Sequence, residues 1–542
     1  MGIKRFLIVL LFFTATISFA QQRIVVRFTD KQNSPFSIQN PQQFLSPKAI
    51  DRRTKHDIAI TDQDLPVNQV YIDSVLSKGS TYINRSKWMN LVQVRITDTA
   101  VIQTITALPF VAGVEVVKRN DTLSSLRLSN KFDLEGTTNF DYGYGADQIT
   151  IMQGDFLHQA GYLGEGLTIA VLDAGFDHVD SISAFSHLWS DNRILGYWDF
   201  VNNDDSVFGH HGHGTSVLST MAAHIPGQLI GTAFKASYWL LRSEDAGTES
   251  LSEEYNWLAA AEFADSVGAD VINSSLGYTT FDDSLTNHAY TDMDGNTTVI
   301  TRAADLAFEK GILVVNSAGN SGSSPWYYIA APADGHHVLA VGATEHDGNY
   351  ASFSSRGPSY DGRVKPDVST IGRYSAVVDV SGNVVYNNGT SFASPEMAGM
   401  AAVLWQAFPD KTNQEIKEAI IRSAHHYANP DDKLGYGIPN FRTAYLMLSG
   451  YQVDNIYENQ LLKIYPQPFV NEFNLVYYSA YNQSVQINIQ DISGKQVYQY
   501  NWSVQEGVIE NITITHALSS GIYTLQLIDG EGLVISNKII KR

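Results

Sequence analysis

Apolar positions follow different rhythms in different parts of the chain. Between residues 146 and 450 they come in unbroken runs: Leu167-Thr168-Ile169-Ala170-Val171-Leu172, Val271-Ile272-Asn273 and Gly311-Ile312-Leu313-Val314-Val315. Helical stretches lie between such runs, with Trp257–Val267 and Thr301–Lys310 as examples. A strand that is apolar on successive residues has to be covered on both faces, and the intervening helices supply the cover. The pattern predicts an α/β domain built on a parallel sheet. Residues 21–129 read otherwise, with strand-like Ile24–Phe28 and Leu91–Ile96 set among helical segments. Ser46-Pro47 opens one of these helices, as an N-cap followed by proline at the first helical position. A small α+β domain is expected here. From residue 456 to 542 helical periodicity stops. Short alternating segments take over (Phe473–Tyr477, Val485–Ile489, Val497–Tyr500, Ile512–Thr515, Ile522–Leu527), parted by turns such as Ser493-Gly494 and Ser520-Gly521. That is the pattern of a small β-sandwich. The stretch 130–145 is polar and glycine-bearing, and reads as an exposed linker.

The N-terminus changes the picture most. Lys4 and Arg5 precede an apolar run from Phe6 to Phe13, and Ser18-Phe19-Ala20 offers small residues where a signal peptidase reads. Residues 1–20 are therefore expected to be a secretory signal cut after Ala20. The alternative, a membrane anchor, suffers from a short uncharged stretch diluted by Thr14, Thr16 and Ser18. No other run is long enough to cross a bilayer, so no transmembrane segment is expected in the mature chain. Across 542 residues, 36 Lys+Arg against 56 Asp+Glu give a net charge of −20, which argues against nucleic acid as a partner. The absence of cysteine excludes disulfides, thiolate metal sites and a cysteine nucleophile.

Four segments carry candidate chemistry. Asp173 ends the run Ile169–Leu172 and precedes Ala174-Gly175, which puts an acid at the rim of a buried sheet where open α/β folds hold ligands. Taken alone it also reads as a solvated turn residue. His213 sits in His210-His211-Gly212-His213-Gly214-Thr215 and opens a helix whose later residues are apolar or small. A metal cluster of the three histidines would want further ligands at defined spacing, and none is evident. Ser391 lies in Asn388-Gly389-Thr390-Ser391-Phe392-Ala393-Ser394-Pro395, at the start of a helix with a small-residue face. There it also reads as an N-cap, with Pro395 expected in the first turn. The helix's positive end would favour negative charge near the hydroxyl. Asn320, in Ser317-Ala318-Gly319-Asn320, follows a buried strand within a glycine-flanked turn, from which its amide could donate to an oxyanion.

These segments occur in the order Asp, His, Asn, Ser, and together they resemble the subtilisin-like serine peptidases. Ser275-Leu276-Gly277, Phe353-Ser354-Ser355-Arg356-Gly357-Pro358 and Lys365-Pro366-Asp367-Val368 extend the likeness over residues 146–450. The resemblance implies a catalytic triad of Asp173, His213 and Ser391, with Asn320 in the oxyanion hole. It further implies Ser275, Leu276 and Gly277 as one wall of the substrate cleft and Ala318 and Gly319 as the other, with no cofactor required for catalysis. Glu396, Ser216 and Thr370-Ile371-Gly372 depart from the family pattern.

Residues 21–129 resemble a subtilase propeptide, with an accessory substrate-binding domain as the alternative. Residues 456–542, with Ile464-Tyr465-Pro466-Gln467-Pro468-Phe469 and the basic end Lys538–Arg542, resemble the type A sorting domain of type IX secretion; a carbohydrate-binding sandwich is the rival. That likeness implies the secretion machinery as a partner and a secreted or cell-surface location in a Bacteroidetes bacterium. Asp292, Asp294 and Asn296 cluster oxygen atoms that could hold a structural calcium ion, although the spacing is not that of an EF-hand. The expected function is a secreted endopeptidase acting on proteins or peptides. An inactive binding protein and a processing enzyme for one exported partner are the other readings.

Overall fold

The computed structural model describes residues 21–119, 141–451 and 458–542; the expected signal segment and most of the expected linker lie outside them. Seven strands form the central sheet, all parallel, in the order 368–371, 339–344, 313–317, 271–274, 168–173, 237–242, 194–199. The unbroken apolar runs are explained by burial on two sides. Ile169 and Val171 point into a cluster with Val217, Leu218 and Met397, under the helices His213–Ala222 and Thr390–Ala407. Ala170 and Leu172 point into a second cluster with Leu258 and Ile300, under the helices Ser252–Val267 and Val299–Glu309. The α/β expectation for this domain therefore holds.

Residues 22–118 form a four-stranded antiparallel sheet in the order 80–86, 91–96, 22–28, 111–118, with helices at Gln69–Leu76 and Ala100–Thr106 on one face. Ser46 caps the helix Pro47–Lys55 as expected, its hydroxyl accepting from Ala49 N at 3.2 Å. The other face packs on the helix Ser252–Val267: Val25, Trp88, Leu91 and Val117 belong to the same apolar cluster as Ala170 and Leu172. Polar contacts reinforce this seam. Glu262 accepts from the backbone N–H of Lys87 (2.7 Å) and Trp88 (2.9 Å) and from the Ser86 hydroxyl. Asp265, wholly buried, binds Arg52 at 2.6 Å and Arg53 at 2.8 Å. Burial alone would raise the Asp265 pKa, but Lys87, Arg52 and Arg53 outweigh it and hold the group ionised.

The C-terminal strands form antiparallel sheets of three and four strands around Phe473, Ile487, Leu525 and Ile539. Gln460–Tyr465 and Val534–Lys541 are strands too, although neither shows as clean an alternation as the others. Tyr478, Ala480 and Val508 join the core of the central domain, and Arg442 pairs with Glu506 at 3.1 Å. The linker expectation fails at its end. Tyr142, 2% exposed, packs with Ile149, Ile230 and Phe234, so the chain is already anchored before residue 146.

Candidate active site

Parallel strands end on one edge of the sheet, and the chemistry collects there. Asp173 closes the strand Thr168–Asp173; Ser275 follows Val271–Ser274, and Ala318 follows Leu313–Ser317. His213 is the first residue of its helix. The Asp173 carboxylate, fully buried, lies 2.8 and 3.1 Å from His213 Nδ1 through its two oxygens, and also accepts from Ala174 N at 2.7 Å. Glycine after the histidine is a packing requirement: a Cβ at Gly214 would run into the Gly175 carbonyl and stand 3.0 Å from Asp173 Cβ. Burial works to lower the His213 pKa, yet the charge and hydrogen bond of Asp173 outweigh it and hold the imidazole above its ordinary value.

Ser391 is 8% exposed, and its hydroxyl donates to the Ser275 carbonyl at 3.4 Å. Among the described residues no hydrogen bond joins it to His213; free enzymes commonly hold this contact long and close it on substrate. Two sequence expectations about this helix need correction. Gly389 is the N-cap, and Ser391 is the second helical residue; Pro395 lies in the second turn, not the first. A proline there has no N–H to give the carbonyl four residues earlier, which is that of Ser391. The Ser275 hydroxyl takes over, donating to Ser391 O at 2.8 Å. The proline thus ties the serine helix to the neighbouring strand end.

Asn320 is oriented by a residue that the sequence did not single out. Its Oδ1 accepts from Thr390 N (2.9 Å) and from Thr390 Oγ1 (3.0 Å), which leaves Nδ2 as the free donor beside Gly389 and Ser391. Gly319 before it has φ +105°, a conformation that favours glycine. Across the cleft, Asn316 Nδ2 holds the Leu276 carbonyl at 3.0 Å. Ala330 is a further missed residue: its Cβ would stand 3.0 Å from a Cβ on Gly277 and 3.7 Å from one on Gly319. The two glycines therefore let both strand ends close on the Ala330 methyl. No local signal marks Thr390 or Ala330, because their roles depend on long-range contact.

The departures from the family pattern are structural. Ser216 Oγ donates to the Val378 carbonyl at 3.1 Å. Glu396 is fully buried and accepts from Gln148 Nε2 at 2.6 Å; burial pushes its carboxyl well above the usual range. A raised acid favours the folded state at low pH, and that contribution is lost as pH rises from the ordinary carboxylate value toward the folded one. Glu396→Gln is expected to fold and to flatten that dependence. Glu396→Ala, which leaves a cavity and strands Gln148, should cost about 2–4 kcal/mol in urea unfolding.

The calcium candidates are occupied by their own turn. Asp294 accepts from Asn296 N and Thr297 N, both at 2.8 Å, and Asp292 accepts from Ala289 N at 2.8 Å. No group of three or more His, Cys, Asp or Glu that could hold a metal occurs among the described residues. No helix among them is long and apolar enough to cross a membrane.

Residues 164–437 match the model of the subtilase family, peptidase S8. Residues 23–131 match the peptidase S8 propeptide domain of Bacteroidota, and residues 463–542 the secretion system C-terminal sorting domain. Subtilisin DY of Bacillus licheniformis is 32% identical over 295 residues, covering 53% of this chain and 93% of that protein. The thermophilic serine proteinase of Bacillus sp. strain AK1 is 34% identical over 276 residues, 50% of this chain and 60% of that one. The solved MycP3 protease of the type VII (ESX-3) secretion system aligns at 21% identity and a TM-score of 0.44, over 58% of this chain and 91% of that one. The chain belongs to the subtilase family of serine endopeptidases, with a Bacteroidota propeptide domain before the peptidase domain and a secretion sorting domain after it.

Proposed function

We propose that Ser391, His213 and Asp173 are the catalytic triad of this endopeptidase. Ser391 Oγ attacks the peptide carbonyl as His213 Nε2 takes its proton, forming a tetrahedral oxyanion. His213 then protonates the leaving amine, and the acyl-enzyme on Ser391 is hydrolysed by water activated on the same imidazole. Asp173 fixes the ring orientation and stabilises the imidazolium. The oxyanion is held by Asn320 Nδ2 and the Ser391 N–H. These steps require no cofactor. The observation that carries this reading is the hydrogen bond from His213 to the fully buried Asp173, at the sheet edge where the serine helix begins.

Ser275–Gly277 and Ala318-Gly319, with Ala330 between them, then form the primary specificity slot. Its small, uncharged walls suit a bulky apolar side chain. Residues 21–129 act as a propeptide that covers the peptidase domain until cut. Residues 1–20 direct export, and residues 456–542 engage the type IX machinery, so the mature enzyme works outside the cell or on its surface.

A fluorophosphonate probe tests the assignment directly. Its phosphonyl oxygen occupies the oxyanion position, so labelling reports nucleophile and hole together. The label should map to Ser391, and Asn320→Ala should slow labelling by about 10²–10³-fold. A label on another serine, or an unchanged rate in the variant, would sink the assignment.

A further inference from the structure

Beside the active site the sheet edge turns strongly acidic. Glu244 and Asp245 follow the strand Ser237–Arg242, which pairs with the Asp173 strand, and Asp282 and Asp283 lie beyond the Ser275–Gly277 wall. Tyr278 bridges the two loops, its hydroxyl donating to Glu244 Oε2 at 2.7 Å. Between them is a cavity of about 490 Å³ lined by Thr248, Glu249, Ser250, Asp282 and Asp283. Crowding of like charge is felt there: burial, Glu244 and Asp282 push Glu249 up to about 8. Such an arrangement is costly unless cations belong in it.

The chain supplies two. Val117 is buried where the propeptide's last strand meets the apolar cluster, and the next two residues enter the cavity. Lys118 Nζ donates to Thr248 Oγ1 at 2.8 Å and lies 3.4 Å from Asp245 Oδ2. Arg119 Nε pairs with Asp283 Oδ2 at 2.6 Å. Arg242 also approaches Asp245, at 3.8 Å, but its main partner is Asp199 at 2.7 Å. Ser250, 7% exposed, also lines this cavity, and its buried hydroxyl has no hydrogen-bond partner among the described residues.

We infer that this acidic cavity is a substrate subsite for paired basic residues on the amino-terminal side of the scissile bond, borrowed by Lys118-Arg119 in the uncut chain. The inference rests on the peptidase reading above. The side follows from the propeptide: any cut that removes the matched region 23–131 leaves Lys118 and Arg119 upstream of the broken bond. Once they leave, Asp245 and Asp283 lose their propeptide partners while the walls that position them stay. The apolar slot would then choose the residue at the cut, and the acidic cavity would choose among the chains that present it.

The test compares self-processed enzyme on two quenched fluorescent peptides, identical except for Lys-Arg or Gln-Gln walked through the positions upstream of one cleavable bond. At one register the basic peptide should have a kcat/KM higher by about tenfold or more. The advantage should shrink toward unity as salt is raised, and in Asp245→Asn/Asp283→Asn, where the amides keep the turn hydrogen bonds but not the charge. The salt titration on wild type stands on its own if the variant fails to fold. Equal cleavage of both peptides at every register overturns this inference and leaves the peptidase intact. Cleavage of neither overturns both.

Discussion

Ser391→Ala is expected to lower kcat/KM on a peptide substrate by about 10⁶-fold, a loss of the size already known for triad removal in a subtilisin rather than one derived from this geometry. The hydroxyl is the only group the substitution removes, and Ser391 sits second in a helix whose other residues carry the packing. The Ser275 hydroxyl bonds the Ser391 backbone carbonyl, so that tie survives the change. The variant should therefore melt close to wild type while failing to turn over. It should also keep its N-terminal domain, because maturation then depends on the same nucleophile. Intact mass over time and initial rates check both. A variant that still sheds residues preceding the peptidase domain would mean that another protease does the cutting.

Asp173→Asn is expected to cost about 10⁴-fold in kcat. The substitution keeps shape and burial but reverses what the side chain offers. Asp173 accepts from Ala174 N and from His213 Nδ1. Asparagine replaces one of the two carboxylate oxygens beside Nδ1 by an N–H₂, which can donate to Nδ1 and so favours the wrong imidazole tautomer. The pH profile gives a second readout. His213 must be neutral to take the serine proton, and Asp173 holds its pKa above the ordinary 6.5. Wild-type kcat/KM should therefore rise with pH through a midpoint above that value. In the variant the charge is gone and the opposing effect of burial remains, so the midpoint should move down. A midpoint unmoved by the substitution would mean that the titrating group is not His213.

Most of the fold was legible because two-sided burial writes itself into sequence. The runs ending at Leu172 and Val315 announced the parallel sheet, and Asp173, His213, Asn320 and Ser391 stood in segments with enough local pattern to single them out. What escaped is what distance creates. Thr390 orients Asn320 across seventy residues. Ala330 meets the cleft walls only because two glycines approach it. Pro395 looked like a first-turn proline because its second-turn cost is offset by Ser275, a residue just past the end of a strand more than a hundred positions earlier. Tyr142 read as linker because its partners Ile230 and Phe234 are far along the chain.

The seam between the N-terminal domain and the peptidase has a consequence for time. Val25, Trp88, Leu91 and Val117 complete the cluster that also holds Ala170, Leu172 and Ile272, so the instructions for reaching this state are divided between a part that stays and a part that is destroyed. Once the propeptide is cut away, a chain that unfolds no longer carries Val25, Trp88, Leu91 and Val117 to complete this cluster, and its refolding is expected to be slow. The working life of the enzyme is then set by how rarely it opens, and not by how far downhill it lies.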